Sequence, residues 1–232
     1  MKRLLLLTLF AFTIFAAGAQ EKTYTLKVGR FDKVKITDNV NVIYRSVPDS
    51  TGIVVFTGTE NFANAFIFTN NKGELRVQVN TEDVNDPDLP VLHIYSDYIT
   101  SIENSSEFTT TVENSVSVPS FSVKQIGNGK IVATNINAGS VTAHVATGKG
   151  TITLTGNTEK AQYKMVGTGT IQASTLEALT VKCSILGTGD IICWPVKNLD
   201  VRGIGTTKIY YKGNPKIKKV GGGKVFPLVQ SE

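Results

Sequence analysis

Apolar and polar side chains alternate along most of the chain, and glycine-rich turns interrupt the alternation at regular intervals. In five of six such turns in the second half, an aliphatic residue stands four positions after the first glycine, namely at Ile131, Ile152, Ile171, Ile191 and Val225. Two positions further come Ala133, Leu154, Ala173 and Cys193. Residues two apart in a strand point to the same side, so both sets are predicted to share one buried face. The remaining turn reaches Ile209 only with a two-residue slip.

The turns themselves repeat a pair of glycines separated by one residue. From first glycine to first glycine the steps are 21, 19, 20, 16 and 18 residues, a period typical of a solenoid. Glycine suits a stacked corner because it tolerates φ > 0 and lets successive backbones approach to about 4.8 Å. We expect both properties to matter at these corner glycines, which are Gly127, Gly129, Gly148, Gly150, Gly167, Gly169, Gly187, Gly189, Gly203, Gly205, Gly221 and Gly223.

These patterns predict an all-β fold with very little helix. The preferred architecture is a single-stranded, right-handed parallel β-helix with irregular N-terminal rungs and its clearest repeats over residues 121–225. Each rung of roughly 16–21 residues has room for two or three short strands and their corners. The alternative is an antiparallel β-sandwich with glycine-rich hairpins.

Residues 1–19 have the pattern of a secretory signal peptide. Lys2 and Arg3 precede an apolar run, and small residues at Ala17 and Ala19 mark a cleavage site before Gln20. Residues 20–232 are then the mature domain, exported to the periplasm, the outer-membrane surface or the extracellular space. No other stretch is long and apolar enough to predict a membrane span.

The charge balance of the mature domain is weakly basic. Without Lys2 and Arg3 the basic count falls from 24 to 22 against 19 acidic residues, which changes the net charge from +5 to +3. Basic residues concentrate late in the chain, where they predict either a stripe for anionic polysaccharide or lipid headgroups, or lysines that protect an exposed sheet edge from aggregation. They are Arg202, Lys208, Lys212, Lys216, Lys218, Lys219 and Lys224.

The residues that usually carry metal or redox chemistry are few. Cys183 and Cys193 flank one glycine corner and predict either a disulfide across a rung or two small apolar core residues. Their spacing does not match a zinc site, and His93 and His144 are far apart in sequence. Asp190 follows a glycine corner, but lysine or threonine takes its place in other repeats, which argues against a calcium ladder. We therefore expect no metal and no cofactor.

Catalysis is not predicted, because no acid–base constellation repeats or concentrates along the chain. The one late cluster comprises Asp190, Asp200, Arg202 and Lys208, for which a salt pair between rungs is an equally good interpretation. N-terminal aromatic residues predict either a sugar-stacking surface or a cap over the end of the core; they are Phe62, Phe66, Phe68, Tyr95, Tyr98 and Phe108.

The late repeats Val166–Ile171, Leu186–Ile191 and Tyr211–Pro215, together with the opening Phe31–Ile36 and Val40–Val42, carry a family resemblance. They resemble the head GIN domain, DUF2807, described as a putative autotransporter adhesin. The resemblance covers roughly residues 31–225. It implies export in Bacteroidetes-type bacteria, a β-helical fold and a role in adhesion, and it supplies no catalytic residues.

The leading hypothesis from the sequence is an exported, non-enzymatic surface protein that binds a glycan or a protein. The alternatives are a periplasmic structural or envelope-stress protein and a polysaccharide-degrading β-helix enzyme. The glycine pairs lack the strand-to-helix context of a phosphate loop, and no nucleic-acid partner is expected. Oligomeric state is left open.

Overall fold

The computed structural model describes residues 21–80 and 89–228. The predicted signal peptide lies outside the described residues. Strands make up 67% of the structure and form a parallel β-solenoid of about six turns, which confirms the predicted fold class. One short helix, α1 (Glu60–Ala65), lies in the described part of the chain.

The first nine strands are short, as the frequent turns of the N-terminal half predict. They are β1 (Lys22–Lys27), β2 (Lys33–Ile36), β3 (Val42–Ser46), β4 (Ile53–Gly58), β5 (Phe66–Asn71), β6 (Glu74–Val79), β7 (Leu92–Ser96), β8 (Ser101–Asn104) and β9 (Thr109–Asn114).

The next five strands are longer, because several of them continue around a bend of the solenoid, and the last three strands are short again. In chain order, these eight strands are β10 (Val118–Ile126), β11 (Lys130–Thr147), β12 (Thr151–Met165), β13 (Thr170–Ile185), β14 (Asp190–Gly203), β15 (Lys208–Tyr211), β16 (Lys216–Gly221) and β17 (Lys224–Pro227).

The strands stack into two long faces and a short one. Face A stacks β6, β2, β8 and β10, then the C-terminal halves of β11 to β14, and ends at β16. Face B stacks β7, β3 and β9, then the N-terminal halves of β11 to β14, and ends at β15 and β17. Face C lies between them, where Ile136, Gly156 and Leu176 are in register.

The predicted aliphatic column is present inside face B. Ile131, Ile152, Ile171, Ile191 and Ile209 pair in successive registers, and all five side chains are fully buried. The two-residue slip before Ile209 is therefore absorbed in the corner, and the column continues to Val225. Stacking of branched aliphatic side chains at each rung removes apolar surface from water along the whole solenoid axis.

The order of rungs in space differs from their order in the chain. Strand β2 lies between β6 and β8, and β3 lies between β7 and β9, with parallel pairing on both sides. The first rung formed by the chain is thus inserted between two later ones. Antiparallel pairing joins β1 with β4, β4 with β7 and β5 with β6. The sandwich alternative is therefore wrong, because the long stacks are parallel.

Candidate binding surface

Face A presents two columns of outward side chains that run along the solenoid axis. The cationic column consists of Arg76, Lys35, Glu103, Lys124, His144, Lys164, Ser184, Arg202 and Val220, in register from β6 to β16. The mixed column beside it consists of Glu74, Lys33, Ser101, Ser122, Thr142, Gln162, Lys182, Asp200 and Lys218. Eight basic and three acidic residues give these columns a net charge of +5, against +3 for residues 20–232.

One carboxylate compensates part of this charge near the N-terminal end. The Glu103 carboxylate lies 2.8 Å from Lys35 Nζ and 3.1 Å from Lys124 Nζ. Burial by itself would raise the pKa of Glu103, but the hydrogen bonds from Lys35 and Lys124 outweigh it and lower this pKa. Glu103 therefore holds three strands of face A together through its two lysine neighbours.

The pKa of His144, on the next rung, is affected by burial and by the positive charges of the same column. Partial burial lowers the pKa of His144, and the ammonium groups of Lys124 and Lys164 on either side lower it further. The imidazole is therefore driven towards its neutral form by its neighbours. A cation added to this rung would meet repulsion from both sides.

Beyond His144, each successive rung places one basic residue in these two columns of face A. Lys164, Lys182, Arg202 and Lys218 stand on β12, β13, β14 and β16, and we call them the cation row. Within the described part of the chain none of the four has a carboxylate oxygen within ion-pair distance. A shallow concavity of about 400 Å³ opens beside them, lined by hydroxyl, amide and charged groups that include Thr142, Gln162, Thr180, Lys182 and Asp200.

The late cluster predicted from the sequence is divided between two faces. Asp200 and Arg202 point outward from face A, whereas Asp190 and Lys208 are register partners on face B. The structure therefore does not bring these four side chains together. Among the residues that the structure describes, no group of three or more His, Cys, Asp and Glu side chains could hold a metal ion.

The late lysines are also divided. Lys216, Lys218 and Lys219 lie on β16 and Lys224 lies on β17, the two terminal strands of the solenoid. These positions agree with protection of an exposed edge. Lys212 instead has its Nζ 3.8 Å from the centre of the Trp194 ring. The stripe predicted from residues 202–224 alone is thus not one surface.

Three of the six N-terminal aromatic residues, Phe62, Phe66 and Phe68, pack at the end of the core, and Tyr95 is half-buried on β7. Phe66 is buried against Phe56, with ring centres 4.9 Å apart, and Phe62 and Phe68 pack against the same cluster. Tyr98 and Phe108 are exposed. The sequence did not single out a second aromatic pair, Tyr210 and Phe226, whose rings stack 5.6 Å apart on the outside of face B.

The glycine corners stack directly on one another. A Cβ atom built on Gly169 would lie 2.0 Å from the carbonyl oxygen of Gly150, and one on Gly189 would lie 2.0 Å from that of Gly169. Neither residue has positive φ, so that part of our expectation is wrong for them; positive φ occurs instead at Gly127, Gly148, Gly203, Gly205, Gly221 and Gly223. Close approach of the next backbone is what excludes a side chain at Gly169 and Gly189.

Cys183 and Cys193 are both buried and have free thiols in the structure. The neighbouring thiol of Cys193 and burial together raise the pKa of Cys183 well above its ordinary value. Tyr163, the register partner of Cys183, is buried with them, and burial raises the pKa of its hydroxyl as well. The pair is close in space, and a bridge between them stays a prediction.

The model of the DUF2807 family, whose description is "Putative auto-transporter adhesin, head GIN domain", matches residues 30–215. The chain belongs to the head GIN domain family. This match confirms the family resemblance of the late repeats and the opening strands. No curated protein matches the chain in sequence.

Solved structures share the fold of this head GIN chain. A protein described as a putative adhesin from Bacteroides fragilis has a TM-score of 0.79 at 20% identity and covers 91% of this chain and 98% of its own. One from Parabacteroides merdae, also described as a putative adhesin, has a TM-score of 0.66 at 18% identity, with coverages of 90% and 97%. A Parabacteroides distasonis protein described as a putative lipid binding protein has a TM-score of 0.68 at 20% identity, with the same coverages.

Head GIN membership supports a surface, adhesin-like role for the chain. In residues 21–80 and 89–228, no helix is long and apolar enough to cross a membrane.

Proposed function

We propose that this head GIN chain is an exported, non-enzymatic adhesin that binds its ligand on an outer sheet face instead of in a pocket. The observation that carries the proposal is the continuity of face A, whose outward side chains stay in register from β6 to β16. A rigid row of stacked strands presents many weak contacts at fixed spacing, which suits an extended ligand. The signal-peptide pattern and the family membership support the location.

Catalysis needs a positioned acid, base or nucleophile, and the geometry favours binding over it. Asp200 and Arg202 are side by side on an open face, and the carboxylate of Asp190 faces another direction. An open, solvated surface leaves charged groups screened by water, so a substrate on it gains little transition-state stabilisation. The same surface is well suited to multivalent contact.

Protease treatment of intact cells tests the location. Cells that express the full chain are incubated with trypsin, and the chain and a known periplasmic protein are followed by immunoblot. We expect the chain to be degraded while the periplasmic marker survives. Survival of both would place the chain inside the envelope, as the periplasmic structural alternative requires, and would contradict a surface adhesin.

A further inference from the structure

The cation row has a regular spacing set by the backbone. Neighbouring strands lie about 4.8 Å apart, so Lys164, Lys182, Arg202 and Lys218 follow one another at steps of one strand along the axis and alternate between the cationic and the mixed column. This step is comparable with the length of one pyranose unit in an extended polysaccharide. A linear ligand with one negative charge per sugar therefore meets one cation at each rung.

The groups around the cation row are those that contact sugars. Thr142, Gln162 and Ser184 stand on the same face, and hydroxyl and amide groups bind sugar hydroxyls as donors and acceptors. The concavity beside Lys182 gives such a chain a place to lie. Among the described residues in the two columns of face A, the only large apolar side chain is that of Val220, at the far end. The columns therefore offer a lipid bilayer little apolar surface to bury.

We propose that the cation row and its neighbouring hydroxyl and amide groups form a binding track for a linear acidic polysaccharide that carries one carboxylate per sugar. This inference rests on the proposed function and names its ligand class. Lys182, Arg202 and Lys218 are exposed, so they are free to approach the carboxylates. Asp200, between Lys182 and Lys218 in the mixed column, opposes binding by repulsion.

The track is tested with polygalacturonate as the ligand and its fully methyl-esterified, neutral form as the matched control ligand. Binding of the full chain and of Lys164→Gln/Lys182→Gln is measured by calorimetry at several salt concentrations. We expect the double variant to bind roughly tenfold more weakly, with a shallower dependence on salt, because two ionic contacts are lost. The esterified polymer should bind neither protein.

Two further variants make the result specific to face A. Lys130→Gln/Lys208→Gln removes the same charge from exposed positions on face B and should leave the affinity within about twofold of the original. Asp200→Asn should strengthen binding, because it removes the carboxylate that stands between Lys182 and Lys218. Equal losses in both double variants would reduce the interaction to general charge attraction and overturn the track.

Competing ligands separate this inference from the proposed function. Duplex DNA and vesicles that contain phosphatidylglycerol are compared with polygalacturonate, at equal charge, as competitors for binding to the chain. If either competes as well as polygalacturonate, the polysaccharide track is wrong. If the chain attaches to neutral glycans or to host proteins with no effect of Lys164→Gln/Lys182→Gln, adhesion stands and the track is wrong. If the surface-exposed chain binds none of these ligands, both proposals fail.

Discussion

Gly189 shows at the scale of one residue what the corner demands. Its φ is not in the left-handed region, yet an added Cβ would lie 2.0 Å from the Gly169 carbonyl oxygen. The main chain also bonds across this corner, where the amide of Lys208 donates to the Gly189 carbonyl at 3.1 Å. Space, and not backbone conformation, therefore selects glycine here. Gly127 is the opposite case, with φ of 86° and no atom within 4 Å of an added Cβ.

These two corners give a matched pair of substitutions. Gly189→Ala should lower the free energy of unfolding by about 3 kcal/mol, because the rungs must move apart to admit the methyl group. Gly127→Ala should lower this free energy by only about 1 kcal/mol, because the sole cost is that of an alanine in the left-handed backbone conformation. Chemical denaturation of the two variants and the parent measures both values. Equal losses, or a larger loss at Gly127, would contradict stacking as the cause at Gly189.

The thiol pair makes a second prediction for single residues. Cys183 and Cys193 have no exposed surface, and the pKa of Cys183 is raised, so neither should react with iodoacetamide in the native chain. Mass spectrometry after unfolding without reductant then counts the free thiols. The structure predicts two alkyl groups. If no alkyl group is attached, the two cysteines form the disulfide that was the other interpretation of the sequence.

At the scale of elements, the repeat region could be predicted from the sequence and the N-terminal half could not. Glycine pairs and branched residues at fixed offsets identify β11 to β14 as rungs, because each rung repeats the same local requirement. The insertion of β2 and β3 between later rungs leaves no such trace, since Val34 and Ile36 would alternate in the same way in any neighbouring position. Only the partners of these strands, which are distant in sequence, reveal their place.

The Glu103 contacts connect three of these elements, β2, β8 and β10, and give them a pH dependence. A carboxyl whose folded pKa lies below its unfolded value stabilises the fold above the unfolded pKa, about 4.3, and loses this contribution as pH falls through the folded pKa. Glu103→Gln should therefore lower the free energy of unfolding by about 1 kcal/mol at pH 7. It should leave this free energy unchanged at the most acidic pH at which the chain stays folded.

Thermal or chemical unfolding of the parent chain and of Glu103→Gln between pH 7 and pH 3 measures the difference in their free energies of unfolding. Glu159→Gln is the control, because Glu159 is exposed and makes no ion pair within the described residues. A constant gap between Glu103→Gln and the parent at every pH would show that packing, not charge, holds this position.

At the scale of the whole molecule, charge is placed by register and not by sequence proximity. Lys35, Lys124, Lys164 and Arg202 are spread over most of the chain, yet they align in one column because their strands stack. The sequence drew attention to the basic residues from Arg202 to Lys224, which are close in sequence but lie on different faces. Recognising the column required strand pairing, which alternation alone does not supply.

Attachment of living cells tests the central claim most directly. A strain that lacks the chain is complemented with the parent, with Lys164→Gln/Lys182→Gln or with Lys130→Gln/Lys208→Gln, and its retention on polygalacturonate-coated glass is counted under flow. We predict that the parent and the face B variant restore attachment and that the face A variant does not. Attachment that is the same with and without the chain would contradict the adhesin account.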